Sequence, residues 1–207
     1  MKVLNAKNMA KSRQQGFTII ELIVVILLLG ILTATALPRF LDVTDEAHTA
    51  VVSAVQGGLA TGVGLYRAAW FASGQDSTDT AQFGDGTIDS NTSGRPTGTD
   101  GGTGINASAD CLAIFNGLLQ ASRPSAASAA FSTTAATLEG NIETAATNVD
   151  FVATTSDAND PSTGCNFYYT GQYKSGDATT NRTIPMIQYT IATGDVSLGT
   201  SLTLDQN

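Results

Sequence analysis

Gly16-Phe17-Thr18-Ile19-Ile20-Glu21 opens an apolar run that reaches Leu37, and how this junction is read decides the fold. The run from Phe17 to Leu37 holds 21 residues. As a helix it would be about 31 Å long, one hydrocarbon thickness of a bilayer. Fourteen of its residues are Phe, Leu, Ile or Val, which together favour insertion by roughly 4 to 8 kcal/mol. Ahead of it stand Lys2, Lys7, Lys11 and Arg13 with no acidic residue, so residues 1–16 read as a basic leader held on the cytoplasmic side. Glu21 is the anomaly, because a carboxylate at membrane depth needs a partner and the run contains no cation. Cutting between Gly16 and Phe17 would supply one. The new α-amino group on Phe17 would sit four residues, about 6 Å of helix rise, from Glu21. The amine of a neighbouring copy would serve equally, and such a pair would fix the axial register of apolar helices that otherwise slide past one another.

Two plainer readings compete. Ala34-Thr35-Ala36 satisfies the small-x-small rule of a secretory signal and would release a domain starting at Leu37, and an uncleaved single-span anchor has the same hydropathy. The length of the run and the presence of Glu21, which only harms a disposable signal, argue for the first reading.

The Gly-Phe-Thr-x-x-Glu junction at 16–21, the apolar helix and Pro38 resemble the N-terminus of type IV pilins and their pseudopilin relatives, closely over residues 10–48. The run Pro38-Arg39-Phe40-Leu41-Asp42 and the later cysteine-containing region are similar to pilins of the mannose-sensitive haemagglutinin type. The resemblance implies an α+β pilin fold, with a long N-terminal helical spine packed against a C-terminal antiparallel sheet, a long αβ loop and a disulfide-closed region. It implies cleavage after Gly16 by a prepilin peptidase, N-methylation of Phe17, and filament assembly through Glu21 and the Phe17 amine. The partners that follow are further copies in a helical filament, an assembly platform with its motor ATPase, the bacterial inner membrane before assembly, and surface glycans once the pilus is extracellular. A leader of 16 residues is long for a pilin beginning with Phe; a start at Met9 would leave eight.

The organisation expected is a cleaved leader at 1–16, a membrane and filament-core helix at 17–37, its amphipathic continuation at 38–72, an αβ loop at 73–110, and a head at 111–207. Pro38 lacks an amide hydrogen and crowds the carbonyl of Ala34, and Gly30 and Thr33 weaken the same stretch, so a kink or local melting is expected there. Beyond it, Phe40, Val43, Ala47, Val51, Ala54, Gly58, Gly62, Leu65 and Ala69 recur at helical spacing and predict the buried face. Gly57, Gly58, Gly62 and Gly64 are unfavourable in a helix and point to close packing against the backbone.

The stretch 73–108 is rich in Gly, Thr, Ser and Asp and reads as surface loop. Its Asp76, Asp79, Asp85 and Asp89, and the Asp157, Asn159, Asp160 group, lack the alternating pattern of a calcium loop and read as solvated turn residues. Cys111 to Ala121 predicts a short helix with Leu112, Phe115, Leu118 and Leu119 on one face. Residues 125–148 are Ala/Ser/Thr-rich and give no clear signal. Strands are expected at 149–155, 166–173, 184–192 and 196–204 as an antiparallel meander, with a hairpin turn at Thr193-Gly194-Asp195. Tyr168, Tyr169, Tyr173 and Tyr189 read as core or cross-strand aromatics rather than a sugar-stacking patch.

Cys111 and Cys165 are the only cysteines. In an exported head they are expected to pair, closing a loop whose chain-entropy contribution is about 4 kcal/mol. The chain's net charge is −8, and loss of the leader's four cations with no acid takes it to −12. Arg67, Arg95, Arg123, Lys174 and Arg182 are scattered, so no nucleic-acid partner is expected. One histidine, His48, and the absence of a nucleophile elbow or phosphate-binding loop argue against an enzyme, and no cofactor or metal is expected. The leading reading is a structural pilus subunit for adhesion, biofilm formation or motility. A pseudopilin of a type II secretion system, a minor tip pilin and a membrane-tethered carbohydrate-binding module are the alternatives.

Overall fold

The computed structural model describes residues 16–74, 83–84, 87–99, 101–120, 123–157, 160, 163–171 and 182–204, with the side chains of 38–45 and 182 outside that description. Tyr173, Lys174, Asn159, Asp76, Asp79, Asp85 and the four leader cations therefore lie outside the described residues. By contacts the chain divides into two units, Met1–Glu46 and Ala47–Asn207. Helix α1, Ile19–Ala72, contributes to both. In the first unit its segment Ile19–Leu37 is long and apolar enough to cross a membrane, and none of it is buried.

In the second unit, α1 buries Val52, Val55, Leu59, Val63, Tyr66 and Trp70. The spacing of three and four is the one expected, but the face is not. Val51 and Leu65 are exposed, so the stripe is rotated by about one residue from the sequence reading. The reason is bulk: the small residues Ala54, Gly58, Gly62 and Ala69 mark a helical period without deciding its phase, and the Val, Leu, Tyr and Trp positions decide it. The glycines divide in the same way. A Cβ on Gly58 would lie 2.9 Å from Leu119, and one on Gly62 would lie 2.9 Å from Leu118 Cβ, whereas Gly57 and Gly64 face open space. Only Gly58 and Gly62 serve close packing.

The helix they approach is α2, Ser108–Leu119. Its buried residues are Asp110, Cys111, Ile114, Phe115 and Leu118, while Leu112 and Leu119 pack only partly. Phe115 stacks between Phe151 and Phe167, each with ring centroids 5.3 Å away. The helix is thus turned toward Cys111 and Ile114 relative to the face expected.

The stretch expected as surface loop contains a two-stranded antiparallel ladder, β1 (Asp89–Ser90) and β2 (Pro96–Gly98). Ile88, Asp89, Ser90, Thr97 and Ile105 are buried there. Composition conceals this because two of the three buried polar side chains are bonded locally: Asp89 accepts from the Gly101 amide at 2.6 Å, and Thr97 donates to the Gly102 carbonyl at 2.9 Å. Asp89 is therefore a buried structural acceptor rather than a solvated turn residue. Gly94, at φ +69°, closes the turn over Trp70, and a Cβ at 94 would fall within the indole ring.

The ambiguous stretch 125–148 folds as a crossover. Strand β3 (Ala126–Ser128) leads through helix α3 (Ala135–Ala145) into β4 (Phe151–Thr155), which lies parallel to β3. Parallel neighbours need such a connection. The side chain of Asp150 closes its base, accepting from Ser125 Oγ at 2.7 Å.

From β4 the chain continues as an antiparallel meander through β5 (Gly164–Tyr169), β7 (Met186–Thr190) and β8 (Asp195–Leu198), giving the order β3-β4-β5-β7-β8. The hairpin turn expected at 193–195 is present, with Gly194 at φ +78° and its amide bonded to Thr190 at 2.8 Å. Two expected strands are each split. Pro185 cannot donate to a ladder, so β6 (Arg182–Ile184) leaves the main sheet and pairs with β9 (Leu202–Leu204) as a separate ribbon.

Both faces of the main sheet are covered. Phe151, Phe167, Tyr169, Ile187 and Tyr189 point to the layer of α1 and α2. Val152, Tyr168 and Met186 point to a second cluster with Leu138 and Ile142 of α3 and Ile184 and Leu204 of the ribbon. The molecule is α+β, a long N-terminal helix with a predominantly antiparallel sheet.

Candidate functional site

The N-terminal junction is built by the first turn of α1. Gly16, Phe17 and Thr18 precede the helix in exposed, non-helical chain, and Phe17 is 91% exposed. Thr18 and Glu21 form a reciprocal cap. The Glu21 carboxylate accepts from the Thr18 amide at 3.0 Å and from Thr18 Oγ1 at 2.9 Å, and the Glu21 amide donates back to Thr18 Oγ1 at 3.3 Å. This is the Thr-x-x-Glu capping box, in which two otherwise orphaned helix donors are satisfied within the chain. The partner of Glu21 within the chain is thus Thr18 and not only the expected amine, and the spacing at 18–21 carries the signal.

The cap holds one carboxylate oxygen, Oε2, in both of its accepted bonds. It places the acid beside Thr18, one residue from the bond expected to be cut. Further along the span, Thr33 and Thr35 return their hydroxyl protons to the carbonyls of Leu29 and Leu32 at 2.7 and 3.0 Å. That satisfies them without water. Gly30, beside this pair, has nothing within 4 Å of a Cβ position, and α1 as assigned runs through Pro38.

In the head, Cys111 of α2 and Cys165 of β5 are joined by a disulfide, with Cα atoms 5.5 Å apart across a sequence separation of 54. Both are fully buried. At the N-terminus of α2, Asp110 reaches back to accept from the Asn106 and Ala107 amides at 2.8 and 3.0 Å. Helix α1 is tied to its surroundings by Tyr66, whose hydroxyl donates to the Ile88 carbonyl at 2.8 Å, and by Gln56, whose amide donates to the Val196 carbonyl at 3.3 Å.

Tyr168, Tyr169 and Tyr189 are buried in the sheet and offer no aromatic platform to solvent. Burial pushes all three phenols above their ordinary pKa, most strongly Tyr189, whose hydroxyl donates to the Pro96 carbonyl at 3.1 Å. His48 is within hydrogen-bond distance of Tyr169. Among the described residues no three His, Cys, Asp or Glu side chains converge as metal ligands.

Residues 11–37 match the family described as the prokaryotic N-terminal methylation motif. Over 42 residues, 20% of this chain, the sequence is 57% identical to the type IV narrow pilus major component of Thermus thermophilus, covering 36% of that protein. Over 65 residues, 30% of this chain, it is 40% identical to a fimbrial protein of Moraxella nonliquefaciens, covering 42% of it. The chain spans less than half the length of these curated relatives. No solved structure matches it. The chain carries a prepilin-type methylation motif and is homologous to type IV pilins over these stretches.

Proposed function

We propose that this chain is a structural subunit of a type IV pilus, with no catalytic role of its own. The observation that carries this reading is the junction itself. An exposed Gly16-Phe17 bond stands immediately before a capped helix whose apolar segment Ile19–Leu37 is not buried among the described residues.

In this reading residues 1–16 are the leader, the prepilin peptidase cuts after Gly16, and Phe17 is methylated on its new amine. Segment 17–37 stores the subunit in the bacterial inner membrane and becomes the filament core. Glu21, kept at the top of the helix by Thr18, meets the Phe17 amine of its own or an adjacent copy and sets the register. Gly30 and Pro38 mark where the helix kinks or melts as copies pack, because a glycine, two back-bonded threonines and a proline weaken one stretch. Segment 38–72 carries the helix into the head, 73–110 is the αβ connection, and 111–207 is the disulfide-closed head displayed on an extracellular fibre. An assembly platform and motor ATPase move subunits between membrane and fibre, where contacts of similar apolarity are exchanged. Surface attachment, including to glycans, is the output.

Mass spectrometry of fibres sheared from cells tests this directly. A chain beginning at methylated Phe17 is expected; one beginning at Leu37 would overturn the reading. Replacing Glu21 with Ala is expected to abolish surface fibres while leaving the precursor in the membrane, whereas a tethered carbohydrate-binding module would keep its glycan binding.

A further inference from the structure

The hold of the sheet on α1 changes character along the helix. From Val52 to Trp70 the inward side chains are buried in one continuous cluster. The start of that stretch, by contrast, borders a cavity of about 260 Å³, with His48, Thr49, Val52 and Ser53 on the helical wall and Pro185, Leu198 and Ser201 opposite. Across a void a helix forfeits the dispersion contacts that hold it elsewhere. What spans the gap is directional: His48 Nδ1 and the Tyr169 hydroxyl lie 2.7 Å apart, joining residues 121 positions distant in sequence.

The contact is shaped from both sides. The Tyr169 ring is fixed against Phe151, with centroids 5.1 Å apart, and is only 5% exposed, so its hydroxyl has one direction in which to point. Gly171 clears that direction, since a Cβ there would fall 2.4 Å from the Tyr169 oxygen. No left-handed backbone demands a glycine at 171; the neighbouring phenol does.

We infer that His48, Tyr169 and Gly171 form a latch that fixes the point at which α1 parts from the sheet. With the latch closed, the helix is held from residue 48. With it open, residues 47–51, about 8 Å of helix, separate from the sheet while the cluster from Val52 onward stays packed. In a fibre this step would lengthen the joint between stalk and head under load. That consequence rests on the reading as a pilus subunit; the latch itself does not.

Amide exchange, followed by mass spectrometry on the full chain in mild detergent micelles, tests it without reference to fibres. Tyr169→Phe keeps the buried ring and removes only the hydroxyl. It is expected to speed exchange over residues 48–51 about fivefold, the worth of one net hydrogen bond, with residues 59–70 unchanged. Gly171→Ala, whose Cβ would also stand 2.6 and 2.7 Å from carbons of the Tyr169 ring, is expected to speed exchange over the same residues. Unchanged exchange at 48–51 in Tyr169→Phe overturns the latch, and so does a uniform rise over 48–70, which would mean that the bond serves global stability alone. If Gly171→Ala does not fold, Tyr169→Phe decides by itself. Loss of fibres in Glu21→Ala bears on the pilus reading and leaves this result untouched.

Discussion

A methyl group added at residue 62 would stand 2.9 Å from Leu118 Cβ and 3.1 Å from its carbonyl oxygen. Gly62→Ala is therefore expected to destabilise the head by about 1 to 3 kcal/mol, because the α1–α2 contact cannot yield without moving backbone. Gly57→Ala, with nothing within 4 Å, is expected to stabilise it by up to about 1 kcal/mol through helix propensity. Thermal melts of the two variants, read side by side, distinguish a packing glycine from an idle one five positions away. At the other end of the helix, Thr18→Val removes the hydroxyl that both caps Glu21's amide and donates to its carboxylate. The first turn should loosen by about 1 kcal/mol, seen as faster exchange at residues 19–22, and Thr18→Ser should restore it.

At the scale of elements, the disulfide is the clearest single constraint. It ties α2, which packs on Gly58 and Gly62, to the central strand β5. Replacing both cysteines with alanine is expected to cost about 4 kcal/mol, measurable as a lowered denaturation midpoint. Because both sulfurs are fully buried, reductant should act on the folded head only slowly. The sequence made the long apolar helix, α2 and the turn at 193–195 legible, since each has strong local contrast: an uninterrupted apolar run, a helical stripe, a glycine between β-branched runs. It left β3 and α3 unread because Ala, Ser and Thr give little difference between faces, and Leu138 and Ile142 are the only large buried side chains in α3. It misplaced the α1 stripe because alanines and glycines on two adjacent faces repeat with the same period. The ladder of β1 and β2 gives no hydrophobic signal because its buried side chains Asp89, Ser90 and Thr97 are polar, Asp89 and Thr97 being bonded to near neighbours. At the junction, the Thr-x-x-Glu spacing at 18–21 already encodes the cap, whereas the membrane cost of Glu21 points to charge rather than to the backbone.

For the molecule as a whole, the buried phenols set an alkaline limit. Tyr168, Tyr169 and Tyr189 all have folded-state pKa values raised by burial. Their contribution is fully present below the unfolded value of about 10. It is lost as pH rises above that, because the unfolded chain then releases phenolic protons that the folded one retains. Denaturation midpoints should be insensitive to these groups through neutral pH and fall steeply above about pH 10, with the phenolate absorbance appearing together with unfolding rather than before it.

The two clusters on opposite sides of one sheet have a consequence for how such a molecule can diversify. The layer that grips α1 and the layer beneath α3 share strands but not side chains, since alternate residues serve each. Drift in the α3 layer can therefore reshape that side of the head, while the grip on α1 passes unchanged from one generation to the next.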